Sequence, residues 1–298
     1  MDKKKVRIGS RRSRLAVIQT EELVSYIRQW CPDMEPEIVK IETTGDRRLD
    51  VTLDKIGGKG LFVKEIDRAL LAGGIELAVH SLKDMPMEES GELPIVAFSR
   101  REDARDVLVL PEGVKVWRGR GVIGCSSFRR RIQAKRVFPQ AEFKMIRGNV
   151  TTRLEKLDRG EYDALILAAA GLKRLGLEER ISRYFSTEEI LPAAGQGILA
   201  VQGRAGKDYR FLQGFGCPET SVAACTERAF VRCLGGGCSS PVAAYAEAED
   251  GVLHLRGLFY REEDSFFTVE SMSGPVYEAE QLGISLARKL SEKYGRKI

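Results

Sequence analysis

Histidine is nearly absent: His80 and His254 are the only two among 298 residues. So few imidazoles exclude a multi-histidine metal site and elaborate histidine-based catalysis. Ser81 beside His80 is no triad signal, and His254 in the alternating Val252-Leu253-His254-Leu255 reads as an outward strand residue. Long apolar runs are also missing. Met1-Asp2-Lys3-Lys4-Lys5 leads straight into a polar, strand-like segment, so neither a signal peptide nor a membrane span is expected, and the location expected is the cytoplasm. Charge of one sign is lacking as well. The 48 basic and 43 acidic residues leave a net +5, mixed along the chain, which argues against a nucleic-acid surface. There is no Walker loop, because Gly57-Gly58-Lys59-Gly60 has neither the leading glycine spacing nor a following Ser or Thr. The six cysteines fall at irregular spacing. Cys217, Cys225, Cys233 and Cys238 match no common zinc or iron–sulfur pattern, so reduced thiols and no metal are expected.

A chain of this length with 43% hydrophobic residues can bury a sizeable core in two or three domains. Val6 to Gly9 reads as a buried strand, followed by a helix whose apolar face includes Ala16, Leu23, Val24 and Ile27. A strand near Ile38 to Ile41 leads to Thr43-Thr44-Gly45-Asp46 and a glycine-containing loop, expected to be mobile, through Gly60. Phe62, Ile66, Ala69 and Leu70 mark a helix stopped by Gly73-Gly74, before a strand at Ile75 to Val79. A second alternating set follows: Gly121 to Gly124, a helix with Arg129 to Arg131, a strand near Phe143 to Ile146, a helix from Asn149, and the strand Ala164 to Leu167. The pattern predicts parallel βαβ units. Ile8-Gly9-Ser10-Arg11 and Ile123-Gly124-Cys125-Ser126-Ser127 are alike in type, which suggests two similar α/β domains around a cleft. A helix near Ser221 to Leu234, then strands and a last helix near Glu278 to Lys293, form a third, smaller α+β domain.

Basic residues gather where strands end and helices begin: Arg11-Arg12, Lys83, Arg129-Arg130-Arg131, Arg147 to Arg153, and Lys173-Arg174. In open α/β sheets ligands bind outside the carboxyl ends of strands, where helix N-termini attract negative charge. A polyanion is therefore expected, and carboxylates suit the rigid guanidinium fork. Any one of these arginines could simply be solvated; their recurrence favours a site. Asp84, next to Lys83, is either a helix-start cap or a carboxylate able to stabilise a developing cation. Cys225 and Cys233 fit a helix as small apolar residues, whereas Cys238 follows three glycines in a loop that can present a thiol.

Gly58 to Ile66, Ala78-Val79-His80-Ser81-Leu82-Lys83-Asp84-Met85-Pro86, Arg147-Gly148-Asn149-Val150, Ala170 to Gly176, Pro192 to Gly197, and Gly236-Gly237-Cys238 with Pro241 stand in one order along the chain. Together they resemble the porphobilinogen deaminase (hydroxymethylbilane synthase) family over nearly the full length. The resemblance implies three domains, the first two like periplasmic anion-binding proteins: residues 1–99 with 195–215, residues 100–194, and residues 216–298. It implies a monomeric transferase that joins four porphobilinogen molecules into a linear tetrapyrrole with release of ammonia. The primer would be a dipyrromethane thioether-linked to Cys238. Asp84 would be the catalytic aspartate and a cofactor contact. Lys83, Ser127, Arg129 and Arg130 would bind the cofactor, and Arg11, Ser81, Arg147, Arg153 and Arg174 the substrate. Two positions depart from the family pattern: Cys125 replaces a usual Thr, so a hydroxyl contact to cofactor is lost or becomes a weaker thiol one, and Gln202 replaces a frequent acidic residue. The competing class is a non-catalytic two-lobe anion-binding protein, against which the missing signal peptide counts; it would carry no covalent pyrrole.

Overall fold

The computed structural model describes residues 3–47, 63–88, 90–236 and 240–295. The glycine-containing loop through Gly60, most of the Gly58 to Ile66 segment, and Cys238 lie outside the described residues. The first stretch runs β1 (Lys4–Arg11), α1 (Arg14–Trp30), β2 (Met34–Ile41), α2 (Thr44–Arg47), α3 (Lys64–Leu71), β3 (Leu77–Ser81), β4 (Ile95–Phe98). Next come β5 (Asp106–Val109), β6 (Gly121–Gly124), α4 (Phe128–Val137), β7 (Ala141–Lys144), α5 (Val150–Asp158), β8 (Ala164–Ala168), α6 (Ala169–Arg174), β9 (Ile181–Tyr184) and β10 (Leu199–Gly203). The last stretch holds α7 (Pro218–Cys233), β11 (Ala243–Glu249), β12 (Val252–Arg261), β13 (Phe266–Pro275) and α8 (Ala279–Lys293).

Two compact units result. Met1–Arg101 with Ile198–Ser221 form one, and Glu102–Gly197 with Val222–Ile298 the other. The first contains a sheet ordered β2-β1-β3-β10-β4, the second a sheet ordered β7-β6-β8-β5-β9 and a separate β11-β12-β13 meander. The expected parallel βαβ pattern holds for β1 with β2 and β3, and for β6 with β7 and β8. β10 and β5, which lie outside that pattern, run antiparallel to β3 and β8. Each is buried along its length, and a short apolar run carries no record of its direction. The two five-stranded sheets thus share one plan.

Helix α1 shows why these segments fold as they do. Ala16, Gln19, Thr20, Leu23, Val24 and Ile27 are its buried residues, a stripe at helical spacing. Leu23, Val24 and Ile27 pack with Val6, Ile8, Leu77 and Val79 of the sheet. In the small third domain, Gly257 of β12 lies where a Cβ would meet the Phe230 ring of α7 at 2.4 Å, and Gly283 of α8 where one would meet Thr226 O at 2.3 Å. Those missing side chains let α7 approach both the sheet and α8. Cys225 is exposed on α7, so it does not serve there as a packed apolar residue.

Candidate active site

In the first unit, β1 and β3 are parallel neighbours, and their carboxyl ends deliver Arg11 and Ser81 to the same place. Ser13 caps α1 directly after β1, its hydroxyl accepting from Ala16 N at 3.4 Å. The first turn of α1 contains no acidic side chain, so its positive end stays uncancelled and suited to an anion. A single 3-10 turn, Leu82–Asp84, follows β3. Leu82 and Met85 are buried on either side, and Leu82 N donates to Ile198 O at 3.0 Å. These anchors hold Lys83 half-buried and turn Asp84 into solvent. Arg11, Ser13, Gln19, His80, Ser81 and Asp84 are among the residues lining a pocket of about 80 Å³. Lys83 is not among them.

Gln19 escaped the sequence reading. It sits on the buried face of α1, and its Nε2 donates to Ser81 Oγ at 2.9 Å. An amide-bearing residue on the face that carries Ala16, Leu23, Val24 and Ile27 was the available signal. His80 also lines the pocket. Burial pushes its imidazole down to about 4, Gln202 pulls in the opposite direction, and the Arg11 charge pushes further down. His80 is thus neutral at ordinary pH. Gln202 itself is buried in β10, donating to Leu93 O at 3.1 Å.

The second unit repeats the arrangement at the carboxyl ends of β6, β7 and β8. Ser127 caps α4, accepting from Arg130 N at 3.4 Å, and Asn149 caps α5, accepting from Thr152 N at 2.9 Å. Neither helix has an acidic residue in its first turn. Ser126 joins the two loops by donating to Ile146 O and accepting from Ile146 N. Gly148 has φ +111°, and a Cβ there would meet Thr152 at 2.8 Å, so the turn between Arg147 and Asn149 needs glycine. Arg153 Nε donates back to Gly148 O at 2.8 Å, and Arg174, on the helix after β8, donates to Gly197 O at 3.1 Å.

Arg129 and Arg130 are not solvated strand-end arginines. They are 4% and 8% exposed and converge on Asp106, each with an Nη2 at 2.8 Å from it. Gln196 joins them, its Nε2 at 2.9 Å from Asp106 Oδ1. Neither Asp106 nor a role for Gln196 emerges from sequence, since pairing across 24 and 90 positions leaves no local pattern. Glu227 of α7 is another buried carboxylate, accepting from Gly195 N at 2.7 Å and Ala246 N at 2.8 Å. Cys125 is 1% exposed, its thiol directed at Ser127 O at 3.6 Å. Burial raises that thiol's pKa, which makes it a poor nucleophile.

Two family models match. Residues 6–211 fit "Porphobilinogen deaminase, dipyromethane cofactor binding domain", and residues 222–292 fit "Porphobilinogen deaminase, C-terminal domain". Porphobilinogen deaminase of Ruminiclostridium cellulolyticum is 53% identical over 96% of this chain and 98% of its own. That of Alkaliphilus oremlandii is 54% identical over 96% of each. Among solved structures, the periplasmic aliphatic sulphonate binding protein of Escherichia coli matches 97% of this chain and 88% of its own at 11% identity, with a TM-score of 0.42.

Proposed function

This chain belongs to the porphobilinogen deaminase family, and on that footing we propose how its residues divide the work. The reaction condenses four porphobilinogen molecules head to tail into hydroxymethylbilane, each addition releasing ammonia. The donor set fits a dipyrromethane whose pyrroles bear carboxylates: acid-free helix starts, polar caps and recurring guanidiniums all favour such a group. When bound, the dipyrromethane supplies the pyrrole carbon to which the first substrate unit is joined.

In the second unit, Ser127, Arg129 and Arg130 hold cofactor carboxylates, while Arg147, Arg153 and Arg174 take those of incoming substrate. In the first unit, Arg11 and Ser81 bind substrate and Lys83 the cofactor. Gln19 orients the Ser81 hydroxyl. Asp84 is the catalytic residue. As the aminomethyl arm loses ammonia, a cation develops on the pyrrole, and a fixed carboxylate stabilises that charge and the pyrrole N–H while assisting proton transfer. His80, neutral beside it, adds no charge that would compete for the same carboxylates. Cys238 carries the cofactor as a thioether, which makes each addition effectively intramolecular. The domains follow residues 1–99 with 195–215, 100–194 and 216–298, and the protein works as a cytoplasmic monomer.

The observation that carries this reading is the coincidence, at the carboxyl ends of parallel strands in both units, of capped, acid-free helix starts with cationic side chains. Asp84→Asn tests it. The residue is exposed, so the melting temperature should hold while single-turnover addition slows by about 10²-fold or more. A folded variant with near-normal turnover rejects the role.

A further inference from the structure

Asp106 opens β5, and its side chain is fully buried. A carboxylate withdrawn from water stays ionised only where donors surround it. Here they come from two distant segments. Arg129 Nη2 lies 2.8 Å from Oδ2, Arg130 Nε lies 2.9 Å and its Nη2 2.8 Å from Oδ1, and Gln196 Nε2 lies 2.9 Å from Oδ1. Burial raises the carboxyl pKa, but the charges of Arg129 and then Arg130 override it, bringing it down to about 2. Successive residues on a helix point about 100° apart, so two adjacent arginines do not converge without a common anchor. Further contacts fix them: Arg129 Nη1 donates to Leu191 O at 2.5 Å, Arg130 Nη1 to Ile166 O at 3.3 Å, and Gln196 Nε2 also donates to Ala104 O at 2.6 Å.

We propose that Asp106 is a positioning residue for cofactor capture. Its carboxylate sets the directions of Arg129 and Arg130 and ties them, through Gln196, to the segment that crosses back from the second unit's α/β sheet. This rests on the reading of both arginines as cofactor-binding groups. Donors held in place before a ligand arrives lose less freedom on binding it. Asp106 itself touches no reacting atom.

The test uses the full chain purified from cells supplied with porphobilinogen, as the unmutated protein and as Asp106→Asn, Arg129→Leu and Arg130→Leu. Intact mass gives covalent pyrrole per chain, melting curves report the fold, and loading by added porphobilinogen is timed on the pyrrole-free protein. Fully loaded Leu variants would overturn the reading of the arginines, and the role of Asp106 with it. If the Leu variants lose pyrrole, Asp106→Asn should lose about tenfold or more while still folded, as expected of donors misaimed by roughly an ångström. Adding porphobilinogen to the folded, pyrrole-free variant should load it at least about tenfold more slowly than the pyrrole-free unmutated protein, a difference that mere loss of stability does not produce. A folded Asp106→Asn with full pyrrole content, beside depleted Leu variants, overturns the inference alone. Should Asp106→Asn not fold, Asp106→Glu keeps the charge but shifts the oxygens by one methylene; reduced loading supports positioning and full loading refutes it. If neither folds, hydrogen exchange at Arg130 Nε–H in the unmutated holoprotein decides: protection is expected, and exchange at the rate of free arginine overturns the proposal.

Discussion

Replacing His80 by Gln should remove about 2 kcal/mol of stability loss between pH 7 and pH 5. His80 is 7% exposed and lines the pocket beside Arg11 and Asp84. The ordinary histidine value is 6.5, and burial brings the folded value to about 4. Between those limits the unfolded chain binds a proton that the folded chain refuses. The stability this gives is complete above about pH 6.5 and is lost as pH falls toward 4. The full effect is about 3 kcal/mol, of which about 2 kcal/mol falls between pH 7 and pH 5, above most carboxylate titration. His254 is present in both proteins and cancels from the difference. Thermal melting at stepped pH measures the slope, and the two-histidine composition permits a direct check by imidazole NMR, with His254→Gln assigning the signals. Parallel pH curves for parent and His80→Gln, or a His80 signal that titrates near 6.5, would refute the reasoning.

Other perturbations address the second unit. Glu227→Gln keeps the side chain's shape but sets an amide N–H2 against either Gly195 N–H or Ala246 N–H; losing one charge-assisted bond and orphaning a donor should cost about 2–4 kcal/mol. A melting temperature unchanged by this substitution would contradict the clamp. Cys125→Ser should cost about 1–2 kcal/mol, because it buries a hydroxyl in place of a thiol, yet retain its full covalent pyrrole. Loss of pyrrole from a folded Cys125→Ser would contradict the assignment of the tether to Cys238.

The sequence was most legible where chemistry and local geometry coincide. The Ala16, Leu23, Val24 and Ile27 stripe marks the buried face of α1, and the helix from Asn149 and the arginines at the start of α4 stand where the alternating pattern puts them. It was least legible where one buried strand pairs with others. The Asp106-Val107-Leu108-Val109 run has no period that reveals its antiparallel direction. Asp106 gains meaning only when α4 and residue Gln196 arrive around it. Arg129 and Arg130 were recognisable as a basic pair, but their burial depends on that same distant carboxylate. The resemblance supplied what local physics left open, above all the choice of Cys238 as the tether.

That choice is the central claim, and peptide mapping of the native protein by mass spectrometry tests it most directly. A dipyrromethane adduct is expected on the peptide containing Cys238, with unmodified thiols at Cys31, Cys125, Cys217, Cys225 and Cys233. An adduct on Cys125, or an unmodified Cys238 in fully active enzyme, would contradict it.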